Sequence, residues 1–190
     1  RQMREDARAF FPGTLVELRP DIAPLKNSAA WGKGGMMLSQ IRELTGLETS
    51  AIQNWVKRGF LPPAKGKRYT VDQVARILLI NALRGTMRLE HIQQLLSYIN
   101  GNLLDTADDT IEDSKLYDYL CVIAGKMRER HLSEGELRTE IRQLLAGYQE
   151  PVPEARAHLE NALLVMALSY ESAHLRDRAY DLLSGLTQAG

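Results

Sequence analysis

The amino-acid sequence predicts a mainly all-α protein in which a compact basic helical unit is followed by a C-terminal helical domain. Three observations carry that expectation. Apolar residues recur at three- and four-residue steps from Leu38 to Ile99 and again from Leu116 to Leu182, the period of helices that bury one side. Helix starts and stops punctuate those periods, with TVDQ at 70–73, SEGE at 133–136, and Gly46, Gly59 and Gly85 after apolar runs. The formal charge, zero overall, is partitioned: residues 33–88 carry ten basic and three acidic side chains, whereas residues 89–190 carry nine and seventeen. A segment at +7 focuses a positive field toward a polyanion, and a segment at −8 is repelled from it.

Composition bounds the alternatives. The 190 residues, 44% hydrophobic and 25% charged, suffice for one ordinary core or two small ones and not for a large multidomain enzyme. No apolar run approaches the ~20 residues needed to cross a bilayer, so no membrane partner is expected. A single cysteine, Cys121, makes no internal disulfide and fits a reducing cytosol, giving a cytoplasmic expectation. No apolar signal segment opens the chain, which begins with Arg and is expected to lack an upstream piece.

Residues 1–35 read as an irregular N-terminal arm, because Pro12, Gly13, Pro20, Pro24, Gly32, Gly34 and Gly35 break any helical period. Residues 36–100 read as the basic unit. Leu38, Ile41 and Leu44 mark a first helix with Ser39 as a cap, and Ile52, Trp55 and Val56 mark a second, capped by Thr49 or Ser50 and stopped by Gly59. The turn between them, Thr45 to Leu47 or Glu48, contains Gly46. Two short helices joined in this way form a helix-turn-helix, since neither is stable unless it buries its stripe on the other.

Ser50, Gln53, Asn54 and Lys57 share the opposite, polar side of the second helix. Amide side chains can bond bidentately to adenine, lysine to guanine or phosphate, and serine to either, so these four are the candidate base readers in a major groove. Trp55 reads as a core anchor whose indole nitrogen can still reach a phosphate at the edge. The segment FLPPAKGKRYT reads as a short wing: Pro62 and Pro63 stop the helix, Gly66 permits a tight turn, and Lys65, Lys67 and Arg68 supply backbone contacts, with Tyr69 fastening the returning strand. Thr70 and Gln73 form a capping box for a third helix with Val74, Ile77, Leu78 and Leu83 buried. A fourth places Leu89, Ile92, Leu95, Leu96 and Ile99 inward. Arg76, Arg84 and Arg88 are weaker phosphate candidates.

On these residues the chain resembles the DNA-binding domain of MerR-like transcriptional regulators. The likeness runs through LTGLETSAIQNWVKRGFLPP, KRYTVDQVARILLINALRG and LEHIQQLL, about Leu38 to Leu96. It implies a winged helix-turn-helix whose DNA-facing positions match Ser50, Gln53, Asn54 and Lys57, whose wing contacts match Lys67 or Arg68, and whose aromatic after the wing matches Tyr69. GLETSAIQNWVKRG, ARILLINALRG, LLSYINGNLLD and DSKLYDYL are also similar to a bacterial family described as a domain of unknown function, number 1836. Departures from the MerR pattern are a shorter wing, Arg88 where a Ser cap is common, and no long uninterrupted helix directly after the winged unit. Promoter twisting and inducer binding are therefore not carried over.

Residues 101–113 read as an acidic linker. Its carboxylates, Asp105, Asp108, Asp109, Glu112 and Asp113, lack the glycine and closing glutamate of an EF-hand and read as a solvated run rather than a metal site. Residues 114–190 read as a helical dimerisation or regulatory domain. Its helices span Asp113 to Glu129, Ser133 to Gly147 with Ser133 and Glu136 capping, and Glu154 to Leu183. In the last, Leu159, Leu163, Met166 and Tyr170 form a stripe that Leu175, Ala179 and Leu182 continue less regularly; dimer contact and intramolecular packing both fit it. Histidines 91, 131, 158 and 174 are far apart, Cys121 reads as buried, and nucleotide-binding and nucleophile-elbow motifs are absent. The expectation is a non-enzymatic, sequence-specific DNA-binding regulator, a homodimer on double-stranded DNA, with no metal or cofactor and its effector open. The alternative is a non-catalytic interaction or architectural module on the same winged fold.

Overall fold

The computed structural model describes residues 9–19, 25, 34–101 and 109–188. The chain is mainly α-helical with a two-stranded antiparallel pair. In order come β1 (Met36–Met37), α1 (Leu38–Thr45), α2 (Thr49–Lys57), β2 (Arg68–Tyr69), α3 (Val71–Leu83), α4 (Leu89–Asn100), α5 (Asp113–Glu129), α6 (Glu134–Leu144) with a 3₁₀ turn over Leu145–Gly147, and α7 (Ala155–Gln188). The strands pair Met36 with Tyr69 and Met37 with Arg68, tying the start of α1 to the end of the Pro62–Arg68 loop.

Helix α3 is the hub. Every residue from Val74 to Ile80 is buried, so this helix is covered on all sides rather than along one stripe. Helices α1, α4, α5 and α7 and strand β2 pack on it. The expected capping box opens it: Thr70 Oγ1 accepts from Gln73 N at 3.2 Å, and Gln73 Oε1 accepts from Thr70 N at 2.9 Å. Ser133 and Glu136 do the same for α6. The other caps differ from expectation. Met37, not Ser39, precedes α1, and Gln40 Oε1 reaches back to accept from Met37 N at 2.8 Å. Glu48, not Thr49 or Ser50, precedes α2 and makes no side-chain cap.

Burial on all sides of α3 corrects the expectation for Arg76, which is 5% exposed. Its Nε donates to Phe60 O at 2.9 Å, Nη2 to Gln93 Oε1 at 3.0 Å, and Nη1 to Asp113 Oδ2 at 3.4 Å. The guanidinium is spent inside the protein and has no reach to a phosphate. Asp113 is likewise no part of a solvated run; burial pushes its carboxyl above the usual aspartate range in spite of Arg76. Asp72 Oδ1 accepts from Ser114 N at 3.0 Å beside it, so the start of α5 is held on α3 by two side chains. Asn100 clamps the next connection, accepting from Thr110 N and Ile111 N and donating to Ile111 O. Asp105 and Asp108 lie outside the described residues.

The described part of the N-terminal arm is irregular, as expected, and is built into the core. Phe11 is buried, Tyr117 Oη donates to Pro12 O at 2.7 Å, and Asn81 Nδ2 donates to Gly13 O at 2.9 Å. Gly13 has φ +69°, and a Cβ there would sit 2.2 Å from Leu78 O on α3. In α7, Leu159, Leu163 and Met166 are buried as expected, and Tyr170 is partly buried. Leu175, Ala179 and Leu182 are exposed, so they do not continue that stripe.

Two stability predictions follow from this packing. Gly13→Ala combines a left-handed backbone with a backbone clash and should destabilise the fold by about 2 kcal/mol or more in urea melts. Arg76→Ala leaves Asp113 buried without its cation and should cost roughly 3–5 kcal/mol, with Asp113→Ala in the same chain costing far less than the sum of the single changes.

Candidate functional site

Helix α2 divides its residues sharply. Ile52 and Trp55 are buried, Ile52 completely, while Ser50, Gln53, Asn54 and Lys57 are exposed. Gly46 N–H donates to Arg42 O at 2.8 Å and ends α1, and three residues later α2 begins, with its polar side exposed to solvent. Among the described residues the side chains of Ser50, Gln53 and Asn54 have no hydrogen-bond partner and Lys57 has no ion-pair partner, so the outward face is uncommitted. The indole of Trp55 is spent on the core, with the Arg84 guanidinium 5.8 Å above its ring.

The loop after α2 is fixed at both ends. Phe60 N donates to Trp55 O at 2.9 Å, and Gln73 Nε2 donates to Pro63 O at 3.0 Å. At its tip Lys65 and Arg68 exchange both backbone hydrogen bonds, at 3.1 and 3.0 Å, around Gly66 and Lys67. Both central residues have positive φ, +56° and +62°, the requirement of a two-residue hairpin turn whose twist matches its strands. Lys65 and Lys67 project into solvent. Arg68 is partly buried and its Nη1 donates to Gly35 O at 3.1 Å, which holds it against the chain before β1.

The remaining expected residues are placed unevenly. Tyr69 is 6% exposed and fastens β2 to the core, where burial raises its phenol above the ordinary value. Arg84 is exposed, its Nε donating to Asn81 Oδ1 at 2.9 Å. Arg88 is exposed at the N-terminus of α4 without a capping bond. Arg58, which sequence reasoning passed over, is exposed at the end of α2, ion-paired with Glu90 and stacked over Phe60. Only its place one residue beyond Lys57 signalled it.

Elsewhere, an open cavity of about 520 Å³ lies between Phe10–Thr14, the end of α3 and α7. Arg176, Arg178, Asp177 and Asp181 stand around it, so formal charges cancel at its rim. Burial pushes the Cys121 thiol up to about 12, which keeps it protonated and poorly nucleophilic at neutral pH. His158 stacks on Tyr98 with ring centroids 4.4 Å apart. Among the described residues no three His, Cys, Asp or Glu side chains gather as a metal site, and no helix is long and apolar enough to cross a membrane.

The architecture is therefore that of a mainly helical protein presenting a polar helix face beside a basic turn. Residues 35–120, which span β1 to the middle of α5, match the model of a family described as Domain of unknown function (DUF1836). The uncharacterized protein YkrK of Bacillus subtilis (strain 168) is 26% identical over 162 residues, covering 78% of this chain and 69% of that protein. No solved structure matches the chain. Neither the family description nor the relative's name carries a function, and the MerR likeness rests on the sequence alone.

The inward and outward sides of α2 should separate in stability measurements. Ile52→Ala should lower stability by roughly 2–5 kcal/mol, whereas Gln53→Ala should change it by less than about 0.5 kcal/mol in the same urea melts.

Proposed function

We propose that this chain is a sequence-specific DNA-binding transcriptional regulator whose residues 36–100 act as a MerR-like winged helix-turn-helix and whose residues 114–190 act as a dimerisation or regulatory domain. The observation that supports it most is the outward face of α2. Four side chains able to bond base edges or phosphates stand exposed on one side of a short helix, with Ile52 and Trp55 locking the other side. In this reading α2 lies in the major groove, Ser50, Gln53 and Asn54 read bases, and Lys57 reads a base or phosphate. Lys65 and Lys67 hold the adjacent backbone from the turn, and Arg84 and Arg88 are secondary phosphate contacts. Arg68 and Tyr69 build the turn that presents the two lysines. The reading is non-enzymatic, needs no cofactor, and places two copies on two half-sites in the cytoplasm.

A second reading, a non-catalytic interaction module on the same framework, asks for less. It requires only the helical scaffold and an exposed surface for a partner, and the exposed apolar side chains of distal α7 favour it.

Selection from a random duplex library separates the two. The DNA-binding reading expects one enriched motif, with Gln53→Ala or Asn54→Ala relaxing it by about 1–3 kcal/mol at a single position. Lys67→Ala should weaken all duplexes alike and reduce the salt slope by about 1. Absence of salt-sensitive duplex binding would favour the interaction module.

A further inference from the structure

Helix α7 carries two apolar seams, and only one is used by its own chain. Leu159, Leu163 and Met166 face inward. A different set, Val165, Leu168, Ser172, Leu175, Ala179, Leu182 and Leu186, alternates in steps of three and four through three heptads, and all seven are exposed. Leu168, Leu175 and Leu182 recur every seventh residue, with Val165, Ser172, Ala179 and Leu186 between them. An alternation of this kind is the a/d seam of a coiled coil with leucine at every d position. The apolar side chains along it are far from covered: Val165 is 43% exposed, Leu175 59%, Leu182 54% and Leu186 77%.

We infer that this seam is the dimer interface of the protein, and that its occupant is α7 of a second copy of this chain. Three arguments point to a second copy. A strict seven-residue repeat drifts around a straight helix by ~20° per heptad, so it is matched by a partner helix with the same repeat, which an identical α7 supplies. The valine and leucine side chains of the seam are each 43–77% exposed along one continuous side of the helix, apolar surface that an identical seam covers along its whole length. Residues beyond Ala173 are also largely exposed yet helical to Gln188, and a bare helix of about 15 residues is marginal in water without a partner.

One flank of the same segment is tied to the basic unit. Arg176 Nη1 donates to Gly85 O at 2.8 Å, just past α3. A coiled coil here therefore sets the spacing of two α2 faces, and in this respect the inference deepens the dimeric reading above by assigning its surface.

Sedimentation equilibrium of the full chain at micromolar concentration tests it. Wild type should be a dimer, and Leu175→Glu and Leu182→Glu should each raise the dimer dissociation constant at least tenfold. Circular dichroism should confirm that α1–α6 and the packed part of α7 keep their helicity in these variants. Val152→Glu, an equally apolar exposed site off the seam, should leave the dimer intact. A dimer that persists in both seam variants overturns this surface while keeping the dimeric reading. A wild-type monomer at that concentration overturns both.

Discussion

The burial of α3 on every side is the constraint on which the rest of the structure depends. A helix with seven consecutive buried residues cannot lie at the surface; other elements must close around it. Helix α1 and strand β2 cover it from within the basic segment, and α4, α5 and α7 cover it from the acidic one. The two charge-partitioned stretches therefore share one hydrophobic core, and the boundary in charge is not a boundary in packing. Arg76 is the cost of that arrangement. A guanidinium on the hub must be fully bonded, and Phe60 O, Gln93 and Asp113 provide the partners from three separate elements.

The exposed chemistry of the molecule follows from what α3 leaves over. Because Ile52 and Trp55 are drawn into the core, the amide and hydroxyl side chains of α2 have nowhere to go but outward. Because Gln73 and Trp55 pin both ends of the loop after α2, the Gly66–Lys67 turn stands as a defined projection. Polar side chains without internal partners keep their bonding capacity for a ligand, whereas Arg76 has exchanged its own for structure. The same logic applies to α7, whose first half is consumed by packing and whose second half presents leucines to solvent.

Much of this was legible in the sequence because it rests on short-range rules. The capping boxes at Thr70 and Ser133 need only a hydroxyl and a carboxamide or carboxylate three residues apart, and the turn at Gly46 needs only a glycine between two apolar periods. Met37 was not legible as a cap, since a thioether is no capping acceptor and the bond comes backward from Gln40. The helical pattern alone leaves open which of Arg76, Arg84 and Arg88 points outward, although the apolar residues around Arg76 in VARILLI leave it no solvent side. The two seams of α7 merged into one irregular stripe, since residues three and four apart belong equally to either seam until burial separates them. The outward face of α2 was read by periodicity, and its lack of internal partners required coordinates.

Amide hydrogen exchange of the full chain, with and without a random-sequence duplex at low salt, tests most directly whether the face left over by α3 is the face that works. Added protection should map to residues 49–57 and 65–69, with α3 slow to exchange in both conditions. Protection confined to α5–α7, or none anywhere, would contradict that assignment.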